Sequence, residues 1–198
     1  MLAQIEQEIT ALETKLAEIE VEIKTAFRGY VESIAQAIQS HVVLSAYKIC
    51  TQSCPQDFLQ LSQSTRQQLQ QDLQVLGKEF ASQIQTKLIE MAQTQQPTHE
   101  MVEKLLTANL EALSKSANQM LATANLLKQS QEAVDVPQIQ LRVNEIELAD
   151  REVMSHRSQL RVLSNRWHHH QEELERKKQA KLVAQAEQVW RSSWSEIP

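Results

Sequence analysis

The chain has 198 residues with only two glycines, four prolines and 4% aromatics, and a formal charge of −5. Average usage would give a chain this long about 14 glycines and 10 prolines, so turns are few and elements long, which excludes a β-rich or α/β fold. The negative balance argues against wholesale binding to nucleic acid or anionic lipid, both of which attract Lys and Arg.

The first element opens on a coiled-coil seam. Leu2, Ile5, Ile9, Leu12, Leu16, Ile19, Ile23 and Ala26 alternate three and four apart, the a/d spacing of a heptad. Beyond Ile23 a second track, Phe27, Val31, Ile34, Ile38 and Val42, runs mostly at spacings of four. The stripe widens there to take in Tyr30, Val43, Leu44 and Tyr47. A narrow stripe fits one partner helix and a wide one fits a bundle core, so the helix over 2–50 is expected to change role along its length. Ser53 with Gln56 reads as a capping box, with Pro55 in the first turn. A second helix follows over 55–95, carrying Phe58, Leu61, Leu69, Leu73, Leu76, Phe80, Ile84 and Leu88. Pro97 or Thr98 opens a third over 98–133, and Asp135-Val136-Pro137 closes it. The fourth, over 138–195, places Ile139, Ile146, Val153, Leu160, Trp167 and Leu174 one heptad apart at each step.

These spacings predict an all-α protein: an elongated antiparallel helical bundle or coiled coil of about four long helices, forming one domain over 1–198. Short connections make neighbours antiparallel. With equal rise per residue, residues 1–10 and 178–198 are expected to project together from one end. No apolar run approaches the roughly 20 residues needed to span a bilayer, and the N-terminus shows no leader pattern. Cys50 and Cys54 fit a reducing compartment. A cytoplasmic location is therefore expected.

Residues able to do chemistry are sparse. Cys50 and Cys54 are four apart with no second pair to complete a zinc site, and they do not match a C-x-x-C redox pair. His168, His169 and His170 point about 100° apart round a helix, so one ion does not collect them. His156 and His170 fall on the d-type track of the Ile139 heptad, where polar residues tune helix pairing. Arg176, Lys177, Lys178 and Lys181 form the one basic concentration, interrupted by Glu172, Glu173 and Glu175. This reads as a solvated face with i, i+4 support rather than a nucleic-acid site. Nothing matches H-E-x-x-H, a di-iron E-x-x-H pair or a phosphate loop. No catalytic, cofactor-binding or metal-binding residue is assigned, and the chain is not expected to be an enzyme.

One stretch stands apart. Val183, Ala186, Trp190, Trp194 and Ile197 fall 3, 4, 4 and 3 apart on one helical face, and Trp is enriched at interface hot spots. The alternative is that these residues close the bundle end or pack on the first helix. Together these features predict a non-catalytic interaction or scaffold protein. It is expected to bind a protein partner through the Trp-containing stripe and to form a homodimer through Leu2, Ile5, Ile9, Leu12, Leu16, Ile19 and Ile23. A peripheral membrane-binding or membrane-remodelling helical module is the other reading, weakened by the lack of a basic lipid-facing patch.

Overall fold

The computed structural model describes residues 2–94, 97–127 and 137–194. Among these residues every regular element is a helix: α1 (Leu2–Lys48), a π-helical turn (Ile49–Ser53), α2 (Pro55–Gln60), α3 (Gln63–Thr94), α4 (His99–Thr123), α5 (Val143–Ala149) and α6 (Arg151–Trp194). The all-helical class and the long helices agree with the spacing argument. The boundaries differ in five places, each for a local reason.

At the end of α1 the backbone slips to π-helical bonding, with Cys54 N–H donating to Ile49 O at 2.8 Å. This extra residue makes Cys54, not Ser53, the N-cap of the helix that opens at Pro55, and Cys54 provides no side-chain cap. The expected helix over 55–95 is two helices. Leu61 turns extended (ψ 144°), and Ser62 Oγ accepts from Thr65 N–H at 3.1 Å, capping α3. The apolar spacing runs through this break and hides it. Thr98 is the cap of α4, accepting from Met101 N–H.

The third helix stops at Thr123, ten residues before its expected end. Asn125 adopts a left-handed φ of 59°, Asn125 N–H donates to Ala122 O, and Leu126 N–H to Leu121 O. This is a Schellman ending, in which asparagine substitutes for the usual glycine, and Leu121 and Leu126, the two apolar positions of the motif, are both buried. The rest of the expected helix, with Asp135 and Val136, lies outside the described residues.

The fourth helix does not begin at 138. Residues 137–142 run without helical structure beside α4, where the Asn118 amide brackets one peptide. Its Oδ1 accepts from Ile139 N–H at 2.8 Å, and its Nδ2 donates to Ile139 O at 3.0 Å. Ser114 Oγ accepts from Leu141 N–H. A second break falls at Asp150, whose carboxylate accepts from the N–H groups of Glu152 and Val153 and so caps α6. The unbroken heptad from Ile139 to Val153 therefore records burial at all three positions, not one continuous helix. Asn118→Leu is expected to cost about 1–3 kcal/mol by leaving the Ile139 peptide unpaired; an unchanged urea midpoint would contradict this role.

The chain divides into two compact units, Met1–Phe27 with His156–Pro198, and Arg28–Ser155. In the second unit the C-terminal half of α1 is buried on several sides through Tyr30, Val31, Ile34, Ala37, Ile38, Val42 and Ala46. The same unit buries Leu73, Ile84 and Leu88 of α3 and Leu106, Leu110, Leu113 and Ala117 of α4, and Gly77 of α3 lies against Val42. α3 packs on α4 and α4 on α5. Tyr30 OH donates to Glu147 Oε1 at 2.8 Å, satisfying a carboxylate that is 4% exposed.

The first unit is thinner. Leu12 and Leu16 of α1 close on Leu174 of α6, with Ile9 and Trp167 packed against them. The two helix segments run antiparallel, as the polar pairs show. Lys181 meets Glu6 at 2.8 Å, Lys178 meets Glu13, Arg166 meets Glu22, and Trp167 Nε1 donates to Glu20. Residues 2–27 hold six acidic and two basic side chains, and residues 156–194 hold eight basic and four acidic. Each exposed pair contributes little, about 0–1 kcal/mol, but the opposite signs fix direction and register.

Candidate interaction face on α6

The α1-facing side of α6 is marked by the buried Leu163 and Leu174 and by Lys177 and Lys181, which reach Glu8 and Glu6. The stripe named from spacing lies elsewhere on the same helix. At 3.6 residues per turn, Val183 is about 200° round from Lys181 and about 100° from Ala184. Ala186, Trp190 and Trp194 follow Val183 on that far side. Val183 is thus on the side away from α1, and from Gln185 to Trp194 every side chain of α6 is exposed.

The side chains there are open to solvent: Val183 50%, Trp190 64% and Trp194 61% exposed. The indole rings of Trp190 and Trp194 pack on each other, centroids 5.6 Å apart and planes tilted by 50°. Ile197 lies outside the described residues. Sequence reasoning missed two members of the face. Leu182 and Val189 are 59% and 67% exposed and stand about 100° and 80° round from Lys181, broadening the stripe. Their separation of seven residues was the available signal. On the other edge Arg191 pairs with Glu187 at 3.6 Å.

The residues assigned to self-association are placed differently. Leu12, Leu16 and Ile19 are buried within the chain, the first two against Leu174. Leu2, Ile5, Ile9 and Ile23 are half-buried. Along Leu12 and Leu16 the seam is thus engaged by the chain's own α6.

The remaining candidate groups have protein-internal surroundings. Cys50 is buried and Cys54 half-buried, both free thiols. Burial, and then the neighbouring Cys54, push the Cys50 thiol up to about 11, which leaves it protonated and unreactive at neutral pH. Burial first, and Lys48 second, lower the pKa of His41, opposed by Asp150 and Glu145. Within the histidine run, Trp167 and His168 meet edge-on with centroids 5.2 Å apart, and His169 tilts against His170. His170 Nδ1 lies 3.5 Å from Glu173 Oε2, in a geometry that makes no hydrogen bond. Among the described residues no group of three or more His, Cys, Asp or Glu side chains is placed to hold a metal ion, and no helix is long and apolar enough to cross a membrane.

The chain matches no protein-family model, no curated protein and no solved structure.

Proposed function

We propose that this chain is a non-catalytic interaction or scaffold protein that self-associates and binds a protein partner through helix faces, within an antiparallel bundle whose long members are α1, α3, α4 and α6. One observation carries the reading: the exposed apolar side chains of Leu182, Val183, Val189, Trp190 and Trp194 on the last turns of α6. Large apolar side chains at helical spacing, left open where every side chain of α6 from Gln185 to Trp194 is exposed, are what helix-in-groove recognition uses. Exposed apolar patches of this size are uncommon on chains with no partner. The peripheral membrane reading is less well supported. Lys177, Lys178 and Lys181 are held by Glu8, Glu13 and Glu6, which leaves few free cations for an anionic surface.

The test is the double variant Trp190→Ala, Trp194→Ala. A buried Trp truncated to Ala costs about 3–5 kcal/mol, so near-parental thermal stability together with strong loss of partner capture is expected of a contact face. In the free chain both indoles should emit to the red and be quenched by iodide, leaving Trp167 as the protected signal. A large fall in melting temperature, or blue-shifted emission that iodide does not reach, would overturn the assignment.

A further inference from the structure

Residues 137–143, just before and into the first residue of α5, are seated on α4 in the manner of a bound peptide. Burial alternates along them: Ile139, Leu141 and Val143 are inside, whereas Gln138, Gln140 and Arg142 are exposed. A period of two is that of an extended strand, and Arg142 has the backbone angles of one (φ −118°, ψ 136°). The surface that receives them is helical. The Asn118 amide offers an acceptor and a donor side by side and takes the N–H and C=O of Ile139 at 2.8 and 3.0 Å. A neighbouring antiparallel strand would exchange the same pair of bonds with this residue. One helical turn earlier, Ser114 Oγ accepts from Leu141 N–H at 3.1 Å. The steps match, since two extended residues advance about 6.6 Å and four helical ones about 6 Å.

We propose that this edge of α4 is a docking groove for an extended peptide that is apolar at three alternate positions. Residues 137–143 fill it as an internal ligand, which such a segment of a partner protein displaces. This site is independent of the α6 face. The chemistry of the contacts selects the occupant. The polar bonds go to main-chain atoms, which any sequence supplies, and the intervening side chains are exposed, so alternation is the one demand on sequence. Main-chain bonds for affinity and alternate pockets for specificity are the division of labour in strand-addition recognition. A helical occupant would arrive with its N–H and C=O groups engaged in its own turns, leaving Asn118 nothing to bracket. Displacement is within reach, because ordering six non-helical residues costs backbone freedom comparable with what their few bonds and buried side chains return. The strap therefore opens before the helices do.

Amide hydrogen exchange of the full, isotope-labelled chain reads the opening. Ile139 and Leu141 are expected to exchange at least about 100-fold faster than Leu110 and Leu113 in the body of α4, through local release of the strap. Exchange of all four at one rate set by global unfolding overturns the proposal. The probe for the groove is a fluorescein-labelled peptide with the sequence of residues 137–146. By anisotropy it should bind the Leu141→Ala chain, whose own strap is weakened, at least about tenfold more tightly than the parent. The same peptide carrying Ile139→Asp should not bind, and adding Asn118→Ala to the Leu141→Ala chain should weaken binding by about tenfold. No anisotropy change with the Leu141→Ala chain at about 200 µM overturns the groove as a peptide site. If circular dichroism shows that chain unfolded, the parent decides. Excess unlabelled peptide should then speed exchange at Ile139 and Leu141, because the displaced strap enters solvent, and unchanged exchange there overturns the proposal.

Discussion

Leu174→Asp is expected to open the first unit. Leu174 is the buried α6 member of a cluster completed by Leu12 and Leu16, and Trp167, also of α6, packs at its margin only half-buried, so little apolar contact there compensates for its loss. The substitution removes a buried isobutyl group and inserts a carboxylate without a partner, a combined cost of about 3–5 kcal/mol. Helical segments without tertiary support are marginal in water, so residues 2–27 and the facing part of α6 should lose helicity. The far-UV circular dichroism signal should fall at 25 °C, and Trp167 emission should move to the red. Leu174→Lys supplies the control. It loses the same apolar contact but faces an α1 segment with six acidic side chains, and a lysine stem reaches outward to them, so the damage should be smaller. Equal melting curves for Leu174→Asp and the parent would refute the assignment of this seam as the unit's core.

Gly77→Val is expected to lower stability by about 3 kcal/mol through overpacking. A Cβ at Gly77 would sit 2.8 Å from Val42 Cγ1 and 3.5 Å from the Gln39 Cα and carbonyl oxygen. Val42 is fully buried and, being β-branched, has no second comfortable rotamer in a helix, so it cannot swing aside. Behind it stands the α1 backbone. This close approach explains one of two glycines in a chain that otherwise avoids them, since glycine in a helix interior costs about 1 kcal/mol relative to alanine. Gly77→Ala recovers that propensity but meets the same 2.8 Å contact. Combined with Val42→Ala, it should be more stable than the two single effects sum to, a coupling that a double-mutant cycle isolates. Strict additivity, or a Gly77→Val chain with parental stability, would show that α1 and α3 can separate here without loss.

The amino-acid sequence by itself determined the class of the fold and the faces of its helices. Apolar residues at spacings of three and four decide burial through helix geometry alone. That is why Leu12, Leu16, Ile34, Leu73, Leu113 and Leu174 are all inside, and why the stripe of α1 passes from narrow to wide near Phe27, where the two units divide. The same logic located Val183, Trp190 and Trp194 on one face. Breaks were another matter. The heptad through Ile139, Ile146 and Val153 is continuous, yet the chain is non-helical at the first and capped anew by Asp150, because an apolar period records which positions are buried and not whether the peptide between them is helical. Nor could spacing along one helix say which side faces a neighbour. That Leu12 and Leu16 of the α1 seam are taken by α6 of the same chain, and that Trp190 and Trp194 stay exposed, were decided by tertiary pairing. Glu6, Glu8, Glu13 and Glu22 meeting Lys181, Lys177, Lys178 and Arg166 set its register, which leaves the last turns of α6 open.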